Sequence, residues 1–260
     1  MHIARRLVRA VLPKSVLRSI TAGLVTELES GGDWSVHDWL SIASLSRTLA
    51  HLATSGFAPR QAIDVGAYEG EWTRSFKRHF PSARVLMVEA LPSKSIVLDR
   101  VVAEFGATVA HANCLLGPSA RKAVTFYTAE TGSSVLPDCS KAQAGAVTLD
   151  MFPLDELLAQ QEITDVDFLK LDVQGAELQV LDGARVALGR TSFVLLEVSL
   201  QSLYDGGPLA AEVVSYMADA GFGLYDVCSL IRRPRDKALA QIDALFVRSD
   251  SPWAGVPGWE

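Results

Sequence analysis

The sequence predicts an α/β fold with a mostly parallel, seven-stranded sheet, preceded by a helical N-terminal extension. From residue 61, short runs rich in apolar and β-branched residues alternate with helical segments of roughly ten residues, which is typical of βαβ units. Several of these runs end in turns that contain glycine or acidic residues. Before residue 56, by contrast, apolar residues recur at helical spacing. These three observations predict the fold class.

The helical extension is predicted to cover residues 1–55. Pro13 interrupts a first helix, and Ser35 is placed to cap a second. The first 20 residues carry five basic side chains and no acidic one. This segment is therefore expected to dock on the rest of the chain, to join copies of it into a homo-oligomer, or to lie on an anionic membrane. Docking or oligomer formation is favoured, because Pro13 breaks the amphipathic face.

Residues 56–260 are predicted to form one folded domain. The predicted strands are 62–65, 84–89, 108–112, 166–172, 193–198, 223–227 and 243–247. The predicted helices are 71–79, 93–105, 154–161, 177–181 and 209–220. A hairpin-like insert is predicted from 124–127 and 146–149. Residues 228–241 are too polar and proline-interrupted for a crossover helix, so the last two strands are predicted to be antiparallel.

The composition excludes several classes of protein. The net charge is −6, with all the acid outside the first 20 residues, whereas nucleic-acid binding needs clustered lysine and arginine. No apolar run approaches the roughly 20 residues that span a bilayer, so no stable membrane insertion is expected. The N-terminal segment lacks the apolar core of a secretory signal, which predicts a cytoplasmic protein. Three cysteines without zinc-like spacing predict free thiols. The expected partner is a small molecule.

A glycine-containing turn follows the first strand. Gly66 and Gly70 let the backbone approach a ligand, but their spacing is not the G-x-G-x-x-G dinucleotide fingerprint. Asp64, Glu69 and Glu71 place three carboxylates where a pyrophosphate would bind. Like charges 4 Å apart cost about 4 kcal/mol at an effective dielectric of about 20, so the turn favours a cofactor with an ammonium and a sulfonium. The alternative is an acidic turn that only ends a strand.

The second strand, 84–89, ends in one carboxylate, Glu89. An acid at this position of a Rossmann-like sheet can accept hydrogen bonds from ribose hydroxyls. A solvent-facing acid at a strand end is the alternative interpretation. The glycine turn and Glu89, about twenty residues apart, together favour an adenosine-containing cofactor.

Three further acids follow later strands. Asp172 ends the strand 166–172 and is expected to face the same crevice. Glu177 begins the next helix, where it could instead serve only the helix dipole. Glu197 lies near the end of the strand 193–198, at the rim of the crevice or paired with another group.

Four segments together resemble the FkbM family of S-adenosylmethionine-dependent methyltransferases. They are DVGA at 64–67, LD at 149–150, LKLDVQGAE at 169–177 and LLE at 195–197. The resemblance runs from about residue 61 to 247. It implies a class I methyltransferase (Rossmann-like) fold, S-adenosylmethionine as cofactor, and methyl transfer to a hydroxyl of a sugar, polyketide or other secondary metabolite.

The resemblance also implies a cofactor site. The methionine part would contact the turn residues Asp64, Gly66, Ala67, Tyr68, Gly70 and Glu71. The ribose would contact Glu89 and Ala90, the adenine would lie near Asn113 and Cys114, and Asp172 would complete the site. Gly132-Ser133-Ser134 would lie near the entrance, or form a plain turn. Tyr68 stands where the family often has Asn, and Gln174 where it often has Glu, which leaves the acceptor open.

A hydroxyl acceptor must lose its proton to a base or to a bound metal ion. Asp172, Glu177 and Glu197 are the candidate catalytic residues. They could supply a base or hold a divalent ion through oxygen ligands; a base is favoured, because no paired-acid run such as D-x-D occurs at Asp172. Two other functions stay open: an NAD-dependent oxidoreductase, which the acidic turn opposes, and a non-catalytic module that binds a nucleoside.

Overall fold

The computed structural model describes residues 43–129, 132–139 and 145–255. Most of the predicted N-terminal extension, and with it the expected homo-oligomer contact, lies outside these residues. Its described part is helix α1 (Leu45–Thr54), capped by the Ser44 side chain, which accepts a hydrogen bond from the Arg47 N–H. Within the described ranges, no helix combines the length and the apolar character needed to cross a bilayer.

The strands and helices predicted for the remaining chain are all present. The strands are β1 (Gln61–Val65), β2 (Arg84–Glu89), β3 (Val109–Asn113), β4 (Leu115–Leu116), β5 (Arg121–Thr128), β6 (Gly145–Phe152), β7 (Phe168–Leu171), β8 (Phe193–Ser199), β9 (Phe222–Arg232) and β10 (Leu239–Arg248). The helices are α2 (Glu71–His79), α3 (Ser95–Phe105), α4 (Leu154–Gln160), α5 (Glu177–Asp182), α6 (Arg185–Leu188) and α7 (Ala210–Asp219). The short helix α6 was not predicted.

Seven strands form one sheet in the order β3-β2-β1-β7-β8-β10-β9. The pairs from β3 to β8 are parallel, and β10 is antiparallel to both β8 and β9. This architecture confirms the predicted class I (Rossmann-like) fold and the antiparallel final pair. The chain leaves β1 toward β2 and β3 on one side and returns to β7 and β8 on the other. Open α/β sheets bind ligands at such a reversal, at the carboxyl ends of the strands.

The sheet is buried on both faces, which explains why its strands are nearly continuous apolar runs. Alternate side chains enter different cores. Ile63 and Leu169 belong to a core with α4, α5 and α7, while Phe168 and Phe193 belong to a second core with α1, α2 and α3. The site described below therefore rests on a rigid base.

The predicted insert is a separate three-stranded sheet in the order β4-β6-β5. Its strand β4 was too short for the sequence to indicate. Leu115, Phe126 and Met151 from this sheet pack with Leu91, which follows β2. The insert therefore forms a wall beside the carboxyl end of β2.

The final hairpin is longer than predicted. The sequence assigned residues 228–241 to a connection, but β9 continues to Arg232 and β10 begins at Leu239. Because β9 is the edge strand of the sheet, its outer half tolerates polar side chains that would not fit a central strand. Pro234 lies in the tight turn between the strands, where it removes no ladder hydrogen bond.

Candidate functional site

A cleft of about 290 Å³ lies at the carboxyl ends of β1, β2, β7 and β8. This volume is near the lower end of the range of about 300–1,000 Å³ typical of small-molecule pockets. Leu45 and Trp72 line it on the helical side, and Phe126, Ser133 and Val135 line it on the side of the insert. The cleft therefore lies between the main sheet and the insert.

The turn after β1 passes directly against the end of β7. Gly66 has φ +72°, and a Cβ on it would lie 1.8 Å from the carbonyl oxygen of Asp172. Gly70 has φ +75°, and its Cβ would lie 2.8 Å from a methyl carbon of Val101, on α3. Gly66 lines the cleft, and Gly70 is not among the lining residues. The packing of the chain requires both glycines. The sequence interpretation had attributed them to the close approach of a ligand.

Asp64 is fully buried and lies beneath the cleft. Its Oδ1 lies 3.0 Å from the Lys170 Nζ, and its Oδ2 accepts a hydrogen bond of 2.7 Å from the Thr73 hydroxyl. Lys170 also donates to the Gly66 carbonyl oxygen at 2.9 Å. Burial alone would lower the pKa of Lys170, but the charges of Asp64 and Asp172 raise it, so the ammonium persists. Asp64 thus holds the turn in place through Lys170.

Two of the three carboxylates predicted at the turn are paired with lysines. Asp64 is neutralised by Lys170. Glu69 lies 2.9 Å from the Lys94 Nζ, which also lies 3.7 Å from the centre of the Tyr68 ring. Glu71 lines the cleft with an exposed side chain. The repulsion of an anionic ligand at this turn is therefore weaker than the sequence suggests.

Glu89 lies buried at the end of β2 and lines the cleft. Its Oε2 accepts a hydrogen bond from the Tyr68 N–H and its Oε1 from the Leu91 N–H, both at 2.8 Å. An ionised carboxylate has about four acceptor positions. Glu89 therefore keeps acceptor capacity for a ligand while it fixes two backbone segments around the cleft.

Of the other predicted cofactor contacts, Ala67, Tyr68, Ala90 and Cys114 line the cleft, and Asn113 does not. The Asn113 side chain instead donates to the Glu89 carbonyl oxygen at 2.8 Å. Burial, with a smaller contribution from Glu156, raises the pKa of the Cys114 thiol to about 11. Cys114 is therefore an uncharged, apolar contact.

Three acids face the other end of the cleft: Asp172, Glu197 and Asp243. The Gln174 Nε2 donates to Asp172 Oδ1 and to Glu197 Oε2, both at 2.7 Å. The Gln241 Nε2 also donates to Glu197 Oε2, at 2.7 Å. The structure thus brings Asp172 and Glu197 together, as predicted, but through an intervening amide.

Burial is the largest cause of the unusual pKa values here. It raises the pKa of Glu197 to about 9, with further contributions from the negative charges of Asp172, Glu177 and Asp243. It also raises the pKa of Asp243, which pairs directly opposite Glu197 in the β8–β10 register. The raised pKa favours the protonated form of Glu197 at neutral pH.

Glu177 does not line the cleft, in contrast to the expectation that it faces the crevice. It is 2% exposed, and its Oε1 accepts hydrogen bonds from the Val173 and Gly175 N–H groups at 3.1 and 3.2 Å. Burial raises its pKa to about 7, although these hydrogen bonds oppose the shift. Glu177 therefore stabilises the turn between β7 and α5. This is close to the structural role at the start of the helix that the sequence left open.

The described residues contain no group of three His, Cys, Asp or Glu side chains arranged to hold a metal ion. Asp172, Glu177 and Glu197 do not form such a group, because Glu177 is directed into its own turn. The divalent ion considered from the sequence therefore has no matching ligand set in this part of the chain.

Sequence reasoning missed Asp243, Gln174, Lys170 and Tyr204 as site residues. Asp243 was overlooked because it begins the predicted strand 243–247, whereas β10 begins at Leu239; in an antiparallel strand the first half, not the end, meets the carboxyl ends of its parallel neighbours. Lys170 was recognisable as a lone cation inside a buried strand, beside a strand with a lone acid. Gln174 was noticed only as a departure from the family pattern.

The segment 132–139 completes the wall of the cleft beside Gln174. Ser133 lines the cleft, while the buried Ser134 hydroxyl donates to the Gln174 carbonyl oxygen at 2.8 Å. The Tyr204 hydroxyl donates to the Gln174 side-chain oxygen from the opposite side. The Gly132-Ser133-Ser134 segment is thus part of the site and does not form an isolated turn.

A family model for the methyltransferase FkbM domain matches residues 64–224. The chain is 34% identical, over 62 residues, to the 2-O-methyltransferase NoeI of Sinorhizobium fredii (strain NBRC 101917 / NGR234); the match covers 24% of this chain and 26% of that protein. Solved structures similar to this chain include methyltransferase FkbM from Methylobacillus flagellatus KT, at 17% identity and a TM-score of 0.48; the match covers 74% of this chain and 44% of that one. Another is Aeropyrum pernix fibrillarin with bound S-adenosyl-L-methionine (18% identity, TM-score 0.41, 76% of this chain and 73% of the other). The chain spans about a quarter of the curated relative and under half of the FkbM structure.

Proposed function

The chain belongs to the FkbM family of methyltransferases, and from this premise we propose that it transfers the methyl group of S-adenosylmethionine to a hydroxyl of a small-molecule acceptor. The observation that carries the proposal is the arrangement of the cleft. Across the cleft, Glu89 ends β2, the glycine turn follows β1, Asp172 follows β7 and Glu197 lies on β8. The residues proposed for the cofactor and for proton removal therefore line one cavity, at the sheet edge where such folds bind ligands.

The residues at the β2 end suit an adenosine with a cationic tail. Glu89 offers its remaining lone pairs to ribose hydroxyls, and Leu91, Cys114 and Leu115 provide an apolar surface for a base. The exposed carboxylate of Glu71 offers a negative charge to an ammonium or sulfonium. The Trp72 Nε1 is buried without a hydrogen-bond partner in the described structure, so a polar ligand atom could satisfy it.

At the other end, Asp172 is the group that supports proton removal best. Its side chain is 38% exposed, so an acceptor hydroxyl can reach it, and its Oδ2 lies 3.8 Å from the Lys170 Nζ. The raised pKa of Glu197 favours its protonated form at neutral pH, which is a poor base but can donate a hydrogen bond to an acceptor oxygen.

S-adenosylmethionine, when bound, supplies an electrophilic methyl group on a sulfonium. The chain aligns the acceptor oxygen with that methyl and excludes water, and alignment alone can lower a barrier by about 7–11 kcal/mol. Asp172 takes the hydroxyl proton as the oxygen forms its new bond. Glycosides and polyketide-like alcohols are the proposed acceptor classes, because a cavity with several acids and one buried cation disfavours an anionic acceptor.

The test is calorimetric titration of the purified protein with S-adenosylmethionine and, separately, with NAD. The protein is then incubated with cofactor and a panel of glycosides and polyketide alcohols, and the products are examined by mass spectrometry for an added methyl group. The proposal predicts S-adenosylmethionine binding and one methylated hydroxyl. Binding of NAD alone would favour an oxidoreductase, and cofactor binding without turnover on any acceptor would favour a non-catalytic module.

A further inference from the structure

Gln174 is held at each polar atom of its side chain. Its Nε2 donates to Asp172 and to Glu197, which uses both N–H groups of the amide. Its Oε1 accepts the hydroxyl hydrogen bond of Tyr204. The amide therefore has one orientation, since a flipped amide would turn its oxygen toward two acids.

The backbone of Gln174 is fixed as well. Its φ of +57° is in the left-handed region, which non-glycine residues seldom adopt. The Ser134 hydroxyl holds its carbonyl oxygen, and the next residue, Gly175, packs against Tyr204, where an added Cβ would lie 3.1 Å from the tyrosine Cβ. A strained backbone held this firmly is typical of functional positions.

The bridging amide separates the two acids by a defined distance. Asp172 Oδ1 and Glu197 Oε2 each lie 2.7 Å from the Gln174 Nε2. Because the two N–H bonds of an amide nitrogen diverge by roughly 120°, these two oxygens lie about 4.7 Å apart. A direct hydrogen bond between a carboxylic acid and a carboxylate needs about 2.5–2.7 Å. These oxygens of Asp172 and Glu197 therefore cannot share a proton while Gln174 lies between them.

We propose that Gln174 is a positioning residue that keeps the acid of Glu197 from hydrogen-bonding directly to the carboxylate of Asp172, so that Asp172 stays open to the acceptor hydroxyl. This inference rests on the proposed function for the role of Asp172. Without the amide, the carboxyl groups of Asp172 and Glu197 could approach each other and share one proton, as two adjacent carboxyl groups do. The base would then be occupied before the acceptor arrives.

The groups around this pair come from several elements. Lys170 and Asp172 come from β7 and the residue after it, Glu177 from α5, Tyr204 from the segment after β8, and Asp243 from β10. Burial and the surrounding carboxylates raise the pKa of Tyr204, so its hydroxyl remains a donor. Lys170 is the cation among these groups, and it lies on the Asp172 side. The ion pair of Lys170 at this end of the cleft is therefore with Asp172 and not with Glu197.

The test compares Gln174→Gly with Gln174→Met. Glycine suits the left-handed backbone and removes the spacer, whereas methionine keeps a side chain of similar length without N–H donors. The carboxyl carbons of Asp172 and Glu197 are followed by ¹³C NMR across pH, in the apo protein. We expect two separate titrations in the wild type and in Gln174→Met, and one coupled pair in Gln174→Gly.

Turnover supplies the second measurement. For Gln174→Gly we expect kcat to fall at least tenfold at neutral pH and its acidic limb to move to higher pH, with S-adenosylmethionine affinity within threefold of wild type. Separate carboxyl titrations in Gln174→Gly would overturn the inference, because the amide would then not be what separates the acids. A wild type that methylates no acceptor would instead overturn the proposed function, since the NMR result does not depend on turnover.

Discussion

A side-chain carbon on Gly66 would lie 1.8 Å from the carbonyl oxygen of Asp172, a backbone atom that cannot move aside without parting β1 from β7. Gly66→Ala is therefore expected to lower the free energy of unfolding by more than the roughly 1–3 kcal/mol that a left-handed backbone costs alone. Urea denaturation measures this free energy of unfolding. Gly221→Ala is the matched control, because Gly221 has φ +84° and nothing within 4 Å of an added Cβ. Equal losses in the two variants would show that the contact with Asp172 is unimportant.

Removal of the buried cation should be costly. Lys170→Met leaves the fully buried Asp64 without its charge partner, and breaking a buried pair in this way costs about 3–5 kcal/mol. Lys122→Met, which breaks the exposed pair with Asp150, should cost much less, because solvent screens that pair. Chemical denaturation of both variants gives the comparison, and a loss at Lys170 no larger than that at Lys122 would contradict the assigned role.

Glu89 is expected to contribute to cofactor affinity. Glu89→Gln replaces one acceptor oxygen by an N–H₂ group, and the loss of a charged acceptor should weaken S-adenosylmethionine binding by about 1–3 kcal/mol. Calorimetry measures the affinity. Glu104→Gln, at an exposed acid paired with Arg74 away from the cleft, is the control. An affinity for Glu89→Gln within threefold of wild type would remove Glu89 from the cofactor site.

Glu197 should make stability depend on pH. Its pKa is raised from the ordinary 4.5 to about 9, so the folded state binds the proton more tightly than the unfolded state. Its contribution is fully present below pH 4.5 and is lost as pH rises toward 9. The free energy of unfolding of Glu197→Gln minus that of wild type should therefore be larger at pH 9 than at pH 4. Glu156→Gln, at an exposed acid on α4, should show no such change; a parallel pH profile for both variants would contradict the assignment.

Asp172→Asn should separate binding from chemistry. Loss of a general base typically lowers turnover by about 10²-fold or more, while cofactor affinity is retained. The measurements are kcat with an acceptor that the wild type methylates in the proposed screen and calorimetric affinity for S-adenosylmethionine. Asp219→Asn changes an exposed acid on α7 and should retain full activity. Full activity of Asp172→Asn would exclude Asp172 as the base.

The sequence predicted the framework of the site because strand ends are local features. The apolar strand before Gly66 and the acid Glu89 after the next strand both lie where the pattern placed them. Parallel strands with buried faces leave a strong signal, so the positions of β1, β2, β7 and β8 needed no information about distant contacts.

The rest depended on contacts between residues far apart in the chain. The sequence interpretation placed Asp64 in the cleft, because nothing in the segment around Asp64 reveals that Lys170 lies opposite it in the neighbouring strand. Asp243 was missed because its place at the site follows from the strand order and from the direction of β10. The role of Gln174 depends on its left-handed φ, which a sequence pattern for glutamine does not predict.

The position of β10 between β8 and β9 has a consequence for the order of assembly during synthesis. In the described sheet β9 pairs with β10 alone, and β10 follows it in the chain. While the ribosome is still making residues 239–248, β9 has no neighbour to bind, and Glu197 lacks Gln241 and Asp243. The Glu197 side of the cleft therefore cannot be complete until β10 has been made.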